Sequence, residues 1–561
     1  MGNSVDDTIC AIATPVGEGG IGIVRISGAH AIDIAAHVVR PRNKLPVQQL
    51  ESHRLYLSDV LSPKFPLPSA GEGQGEGESE GSASLSLLER GRGEGPTSPL
   101  SPRWERARVR GKGEDPAQSE EPPPAIDEAL VVIMRKPRSY TGEDVVEIQT
   151  HGGAWILQAT CHSLIQHGAR LAQPGEFTKR AFLNGRLDLT QAEAVLDTIQ
   201  ATTARSLQAA QSLMRGALSK EVDALRERLI RVLAHVEAGM DFAEEDITFI
   251  QAAEVQQALT DTQQAVERLI ASYEEGRLIR EGIKVAIIGR PNVGKSSLLN
   301  ALLKLDRAIV SDQPGTTRDV IDESLNVRGI PLRLLDTAGL RQTQDTIEGE
   351  GIRRTEDAIA EADVLLLVLD GATGVTDEDR AVFGAYSSRK HLLVMNKMDL
   401  PESRMFDTRS LPLPKELPLP PVGGGQGEGS SSLSPRWERA RVRGKGETPS
   451  QGEGEAPSFI KISAKTGEGF DQLTSLIHSV CLKESLEAAP SVLVTRLRHK
   501  ASLEQAHRTV EEAMRSLERK ESGECVALDI RAALDALGEI TGAVSTEDIL
   551  DRIFQYFCIG K

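Results

Sequence analysis

Nowhere do the 561 residues hold an unbroken apolar run near the roughly 18 that a membrane-spanning helix requires, so no spanning segment is expected. Cysteine is scarce. The five present, Cys10, Cys161, Cys481, Cys525 and Cys558, show no metal-ligand spacing and read as reduced thiols of a cytoplasmic protein. An excess of basic charge is missing: 65 Lys and Arg stand against 82 Asp and Glu, a formal net charge of −17. That argues against a surface gripping nucleic acid through bulk charge, while leaving room for a local basic patch. The opening Met1-Gly-Asn-Ser-Val-Asp-Asp7 is acidic, unlike a signal or transit peptide, and Asp6 breaks the myristoylation pattern. A Gly-x-Gly-x-x-Gly dinucleotide fingerprint between strand and helix is lacking too.

What is present centres on Gly289-Arg-Pro-Asn-Val-Gly-Lys-Ser296, a complete phosphate-binding loop. Val285-Ala-Ile-Ile288 before it reads as a buried strand, and Ser297–Leu303 after it as a helix, the setting this motif needs. Gly289 and Gly294 let the backbone curl so that its N–H groups face phosphate oxygens. Asn292, Val293, Gly294, Lys295, Ser296 and Ser297 are the expected GTP contacts here, with Lys295 on the β- and γ-phosphates and the Ser296 hydroxyl on Mg²⁺. Asp336-Thr337-Ala338-Gly339 follows the apolar Leu332-Arg-Leu-Leu335; Asp336 would reach Mg²⁺ through water and Gly339 would offer its N–H to the γ-phosphate. Between them lies Ser311-Asp312-Gln313-Pro314-Gly315-Thr316-Thr317, in which Thr317 is the natural second Mg²⁺ ligand, ordered by the γ-phosphate.

The base is read further on. Asn396-Lys397-Met398-Asp399 ends the strand-like Leu392–Met395, and the Asp399 carboxylate can accept two hydrogen bonds that guanine offers and adenine does not. Ser463-Ala464-Lys465 supports the base from its other side. The order of the four elements makes this a GTP site. Where many GTPases place a water-positioning Gln, this chain has Leu340, and no residue announces itself as an arginine finger. Asn292 either holds a monovalent cation that compensates transition-state charge or simply caps the loop.

Two stretches, about Ser62–Pro124 and Glu402–Pro457, are rich in Gly, Ser, Pro and Glu and cannot bury enough apolar area to offset ordering entropy. Leu100–Glu114 recurs letter for letter as Leu433–Glu447, which reads as an inserted mobile sequence element. With the inserts set aside, four regions emerge: 1–184 (insert 62–124), an α/β piece; 185–283, helical; 284–483, the GTPase region (insert 402–457); and 484–561, helical again. Val222, Leu225, Leu229, Val232 and Val236 form one apolar stripe, and Leu503, Ala506, Val510 and Met514 another. These stripes are expected to pack together, with the GTPase region inserted between halves of one helical domain.

Three further segments carry a resemblance. They are Asp7-Thr-Ile-Cys-Ala-Ile-Ala-Thr-Pro15 with Gly19–Gly28, Ser139-Tyr-Thr-Gly-Glu-Asp-Val-Val-Glu147 with His151-Gly-Gly153, and Pro174-Gly-Glu-Phe-Thr-Lys-Arg–Glu193. With the ending Phe557-Cys-Ile-Gly-Lys561, the chain resembles the tRNA-modification GTPase family MnmE (TrmE) over nearly its whole length outside the inserts. The resemblance implies a multidomain α/β plus all-α protein: an N-terminal α/β folate-binding domain that dimerises, and a Ras-like P-loop GTPase domain inserted in a discontinuous helical domain. It implies a GTP hydrolase that, with the flavoprotein MnmG (GidA) in a heterotetramer, places an aminomethyl or carboxymethylaminomethyl group at C5 of the tRNA wobble uridine. A 5-formyl- or methylene-tetrahydrofolate supplies the one-carbon unit, while FAD and NADH belong to the partner. By the same resemblance Arg25, Glu147, Arg186 and Lys561 contact folate. Asn292, Ser311, Gln313 and Thr316 would hold K⁺, and Glu348 is the catalytic acid, acting beside Lys295 and Thr317. Cys558 is either a nucleophile toward uridine C6 or a small buried residue near folate, the second being favoured. The rival from another class is a non-catalytic switch GTPase of ribosome assembly or signalling.

Overall fold

Burial alternates over residues 22–26 of the strand Gly19–Ser27, and that period-2 pattern marks a strand of a half-covered sheet. The computed structural model describes residues 7–15, 17, 19–62, 124–241, 250–305, 324–335, 356–405, 459–481, 492–544 and 546–560. They fall in two units, Met1–Arg180 with Cys558–Lys561, and Ala181–Phe557.

The first unit carries β1 (Ile9–Ile12), β2 (Gly19–Ser27), α1 (Ala31–Val38), β3 (Val39–Pro41), β4 (Leu55–Leu61), β5 (Ala125–Met134), β6 (Val145–Gly152), α2 (Ala154–Gln166) and β7 (Arg170–Leu171). Its seven-stranded sheet has the order β3-β4-β5-β6-β2-β1-β7, antiparallel except for β1 with β7. One face is closed by α1 and α2, with Leu157 and Leu164 of α2 buried in one cluster with Val24, Ile26, Val131 and Ile148 of the sheet. A Cβ at Gly152 would lie 2.1 Å from the Gly19 oxygen, so the β2–β6 crossing admits only glycine there. Buried Arg180 ties the unit together through Glu176 at 3.0 Å, Glu143 at 3.3 Å and Asp7. Cys10 and Cys161 are buried thiols with Sγ atoms 3.8 Å apart, and all five cysteines are free, as expected.

At the end of the chain Cys558, Ile559 and Gly560 group with the first unit. Gly560 sits at φ 97° where a Cβ would come within 2.5 Å of the Ile12 oxygen, and Gly175 N–H donates to the Cys558 carbonyl at 3.4 Å. Cys558 is exposed, which corrects the favoured expectation of a small buried residue: the close approach belongs to Gly560, and the cysteine two positions earlier faces solvent.

In the second unit α3 (Glu176–Leu183) ends and α4 (Leu189–Gln200), α5 (Ala204–Met214), α6 (Ala217–Asp241), α7 (Ile250–Ala271) and α8 (Tyr273–Glu281) follow. Asp188 closes a capping box with Gln191 at the start of α4 and Thr203 does so with Ser206 at α5, each worth about 1 kcal/mol. After the GTPase region come α12 (Leu497–Glu518), α13 (Gly523–Thr541) and α14 (Glu547–Phe554). The two sequence stripes do share one core: Val222, Leu225, Leu229 and Val232 of α6 are buried with Leu503, Ala506 and Val510 of α12, and Val236 and Met514 pack against them. Truncating a fully buried leucine such as Leu229 to alanine would cost about 2–5 kcal/mol.

The GTPase region is a six-stranded sheet in the order β13-β12-β11-β8-β10-β9, from β8 (Ile283–Ile288), β9 (Ser324–Val327), β10 (Ile330–Leu335), β11 (Val364–Asp370), β12 (His391–Asn396) and β13 (Phe459–Lys461). All pairings are parallel except β9 with β10. Val285, Leu366 and Val394 face one buried layer and Ala286, Leu365 and Leu393 the other, which explains why the centres of these strands are apolar on both faces. The helices are α9 (Lys295–Leu305), α10 (described from 356 to 361), α11 (Asp377–Tyr386) and the carboxy-terminal Phe470–Cys481 helix.

The helix α8 fastens this region to the helical core. Glu275 pairs with Arg205 of α5 at 2.7 Å, Arg277 with Asp363 just before β11 at 2.8 Å, and Arg280 with Asp197 of α4 at 3.0 Å. Arg496, where the chain has returned from the GTPase region, reaches the same Asp197 oxygen at 2.7 Å. Thr203 donates to the Gly329 carbonyl at 2.7 Å, seating the β9–β10 turn on the start of α5.

Candidate functional site

The phosphate loop joins β8 to α9, as its motif requires. Gly289 has φ 154°, and a Cβ there would stand 2.5 Å from the Val368 oxygen; at Gly294, φ 97°, it would stand 2.2 Å from Asn396 Nδ2. Both glycines are therefore forced by close approach as well as by conformation. Asn292 is left-handed at φ 65°, a conformation asparagine tolerates better than most residues. The first turn of α9 starts at Lys295, so its unpaired N–H groups and the positive end of its dipole face the loop. Lys295 Nζ donates to the carbonyls of Gly289 at 2.8 Å and Arg290 at 2.9 Å, and burial holds its pKa below the ordinary lysine value. Ser296 and Ser297 are exposed on that first turn.

The base-reading loop is bonded to the phosphate loop from behind. Asn396 donates from Nδ2 to the Val293 carbonyl at 3.0 Å and accepts at Oδ1 from Ala464 N–H at 3.0 Å. Lys397, itself at φ 63°, donates to the Asn292 carbonyl at 2.8 Å and pairs with Asp370 at 2.7 Å. Burial alone would raise the Asp370 carboxyl pKa, but the Lys397 bond and nearby N–H groups hold it below its usual range. Ser463 donates to Asp399 Oδ1 at 2.8 Å and so orients the exposed carboxylate that would read guanine. Met398 N–H bonds the Ile462 carbonyl, and Lys465 is exposed at the loop tip. Asp370 was missed in the sequence; its position at the end of an apolar strand was the available signal.

Ser311, Asp312, Gln313, Pro314, Gly315, Thr316, Thr317, Asp336, Thr337, Ala338, Gly339, Leu340, Glu348 and Lys561 lie outside the described residues, as do most of both inserts. The described part fits a nucleotide: a cradle no Cβ may enter, a helix start, an ammonium beside it, and a hydroxyl in the place of a Mg²⁺ ligand. The Asn292 carbonyl is taken by Lys397.

A second cluster sits in the first unit. Arg25 of β2 and Glu147 of β6 are register partners, and their side chains join through Nε at 2.8 Å and Nη2 at 2.7 Å. Arg25 Nη1 donates to the Gly560 carbonyl at 3.1 Å, which draws the Cys-Ile-Gly end to the sheet. The guanidinium carbon lies 5.6 Å from the ring centres of both Tyr140 and Phe177. Tyr140 and Phe177 stand inside two segments that carried the resemblance but were not singled out as site residues. Arg186 is exposed in the second unit.

A parallel sheet with this loop after β8 and Asn-Lys-Met-Asp after β12 defines a P-loop GTPase. Residues 189–558 match the family model of the MnmE helical domain, and residues 8–72 and 102–186 match that of the GTP-binding protein TrmE N-terminus. The tRNA modification GTPase MnmE of Moorella thermoacetica is 40% identical over 564 residues, spanning 99% of this chain and 100% of that protein. Those of Syntrophus aciditrophicus, 39% identical over 99% of each chain, and Heliobacterium modesticaldum, 38% identical over 99% of this chain and 100% of its own, are similar. The chain belongs to the MnmE family of tRNA modification GTPases. Among the described residues no helix is long and apolar enough to cross a membrane.

Proposed function

We propose that this chain is a K⁺-dependent GTPase that works as a homodimer in the cytoplasm. With a flavoprotein partner of the MnmG kind, it forms the aminomethyl or carboxymethylaminomethyl modification at C5 of the tRNA wobble uridine. The observation that carries the reading is the fastening of Asn292 and Val293 to Lys397 and Asn396, which joins phosphate grip and base choice in one rigid unit. Lys295 and the first turn of α9 bind the phosphates, and Asp399, oriented by Ser463, selects guanine. Ser296 and Thr317 would hold Mg²⁺, which would supply neutralisation of phosphate charge. Asn292, Ser311, Gln313 and Thr316 are the proposed K⁺ ligands, and Glu348 orients the attacking water indirectly.

The Arg25–Glu147 pair supports the folate reading. Glu147 offers a carboxylate to the amino and ring N–H groups of a pterin. Arg25 holds that carboxylate and the Gly560 carbonyl, two positions from the exposed Cys558. Arg186 is the remaining proposed contact. Turnover at equal ionic strength in K⁺ and Na⁺ tests the first part: much faster hydrolysis in K⁺ is expected, and equal rates would remove potassium from the site. Binding of 5-formyl-tetrahydrofolate to the full chain tests the second. Glu147→Gln is expected to weaken it about tenfold, the loss of one charged hydrogen-bond partner, and unchanged affinity would remove Glu147.

A further inference from the structure

Arg290 is the arginine nearest to hand for a GTPase without a recognised arginine finger, since it lies within the phosphate loop itself. Its guanidinium is already engaged. Nε lies 3.3 Å from Asp379 Oδ2, and Nη2 donates to Thr373 Oγ1. The Asp379 side chain is 2% exposed and that of Arg290 19%. The same Asp379 oxygen accepts from Thr376 N–H at 2.9 Å and Thr376 Oγ1 at 2.8 Å, closing the capping box of α11. Asp379 thus fixes the start of α11 and lies in ion-pair range of the Arg290 guanidinium, among the apolar Val375, Val382 and Phe383.

Loop residues 290, 292 and 293 are therefore each held from outside the loop. The 373–379 segment holds the first through its side chain; Lys397 and Asn396 hold the carbonyls of the other two. The Arg290 carbonyl is also one of the two that position Lys295. We propose that Arg290 is a positioning residue that anchors the phosphate loop to the 373–379 segment through Asp379 and Thr373, and does not act on the γ-phosphate. A planar fork meets Asp379 and Thr373 together, which a lysine ammonium on its single stem does not.

The two roles separate in kinetics. GDP has no γ-phosphate, so loss of a finger leaves GDP binding alone and lowers kcat by a factor of about 1,000 or more. Loss of an anchor weakens every phosphate contact. In the full chain, Arg290→Ala is expected to raise both the Kd for GDP and the KM for GTP about tenfold, with kcat changed by less than about threefold. Arg290→Lys is expected to fall between it and wild type. Asp379→Asn and Thr373→Val should raise the same two constants, and their effects should vanish in the Arg290→Ala background; these two variants carry the test where Arg290→Ala does not fold. A kcat loss of 100-fold or more with GDP affinity intact overturns the proposal in favour of a finger. Unchanged constants in Arg290→Ala, Asp379→Asn and Thr373→Val alike, or a fall in thermal stability without change in GDP affinity, overturns it in favour of a purely structural ion pair.

Discussion

Lys397 donates a hydrogen bond from Nζ to the main-chain oxygen of Asn292 at 2.8 Å, across 105 residues of sequence. One ammonium thereby joins the loop that chooses the base to the loop that grips phosphate, and Asp370 holds it there at 2.7 Å. Guanine recognition and phosphate binding are consequently coupled through main chain that carries no side-chain signature of its own.

Lys397→Met keeps the length of the side chain and removes both bonds. Nucleotide affinity is expected to fall about tenfold or more, as for a lost charged hydrogen bond. Equilibrium binding of GDP measures it, and an unchanged Kd would count against the coupling.

Asp197 receives Arg280 at 3.0 Å and Arg496 at 2.7 Å on the same oxygen, so one carboxylate clasps the chain where it enters and where it leaves the GTPase region. Asp197→Ala removes the partner that Arg280 and Arg496 share, leaving Arg280 with Glu281 and Arg496 with Glu193, and is expected to cost about 1–3 kcal/mol, below the figure for a fully buried pair. Urea denaturation followed by helical circular dichroism checks this; a shift under about 0.3 kcal/mol would show that the clasp adds nothing.

Glu193 gives a pH prediction. Burial alone would raise its carboxyl pKa, but His499 at 2.8 Å, with Arg498 and Arg496, holds it far below the ordinary 4.5. Burial in turn holds the His499 pKa below its ordinary 6.5. Both depressed values have the same sign: the stability is present above the unfolded pKa and lost on acidification. Loss should begin below pH 6.5 as unfolded His499 takes up protons, and steepen below pH 4.5 as unfolded Glu193 does. Glu193→Gln should be less stable than wild type at pH 7, with the difference shrinking below pH 4.5. Thermal midpoints from pH 3 to pH 8 would show the two curves converging; parallel curves would contradict the assignment.

The sequence was informative wherever chemistry needs neighbours in the chain. The phosphate loop, its flanking strand and helix, and the Asn396–Asp399 loop are local patterns, and the two helical stripes showed their common core through period alone. The ties that hold the site were not legible. Arg290 and Thr373 are 83 residues apart, Asp197 and Arg496 299, and Arg25 and Gly560 535. Nothing in the local spelling of an arginine names its carboxylate when the fold, and not the spacing, brings the two together. Cys558 shows the converse hazard: cysteine is buried on average, but the close packing at this end of the chain is made by Gly560.

If this GTPase drives modification of the tRNA wobble uridine as proposed, its loss must alter the nucleosides of tRNA. Nucleoside analysis of tRNA from cells lacking the protein, restored with wild type or with Lys295→Ala, measures this. The 5-aminomethyl or 5-carboxymethylaminomethyl uridine is expected to disappear without the protein, return with wild type and stay absent with Lys295→Ala. An unchanged nucleoside profile in the cells lacking it would overturn the proposal and favour a switch GTPase with no part in tRNA modification.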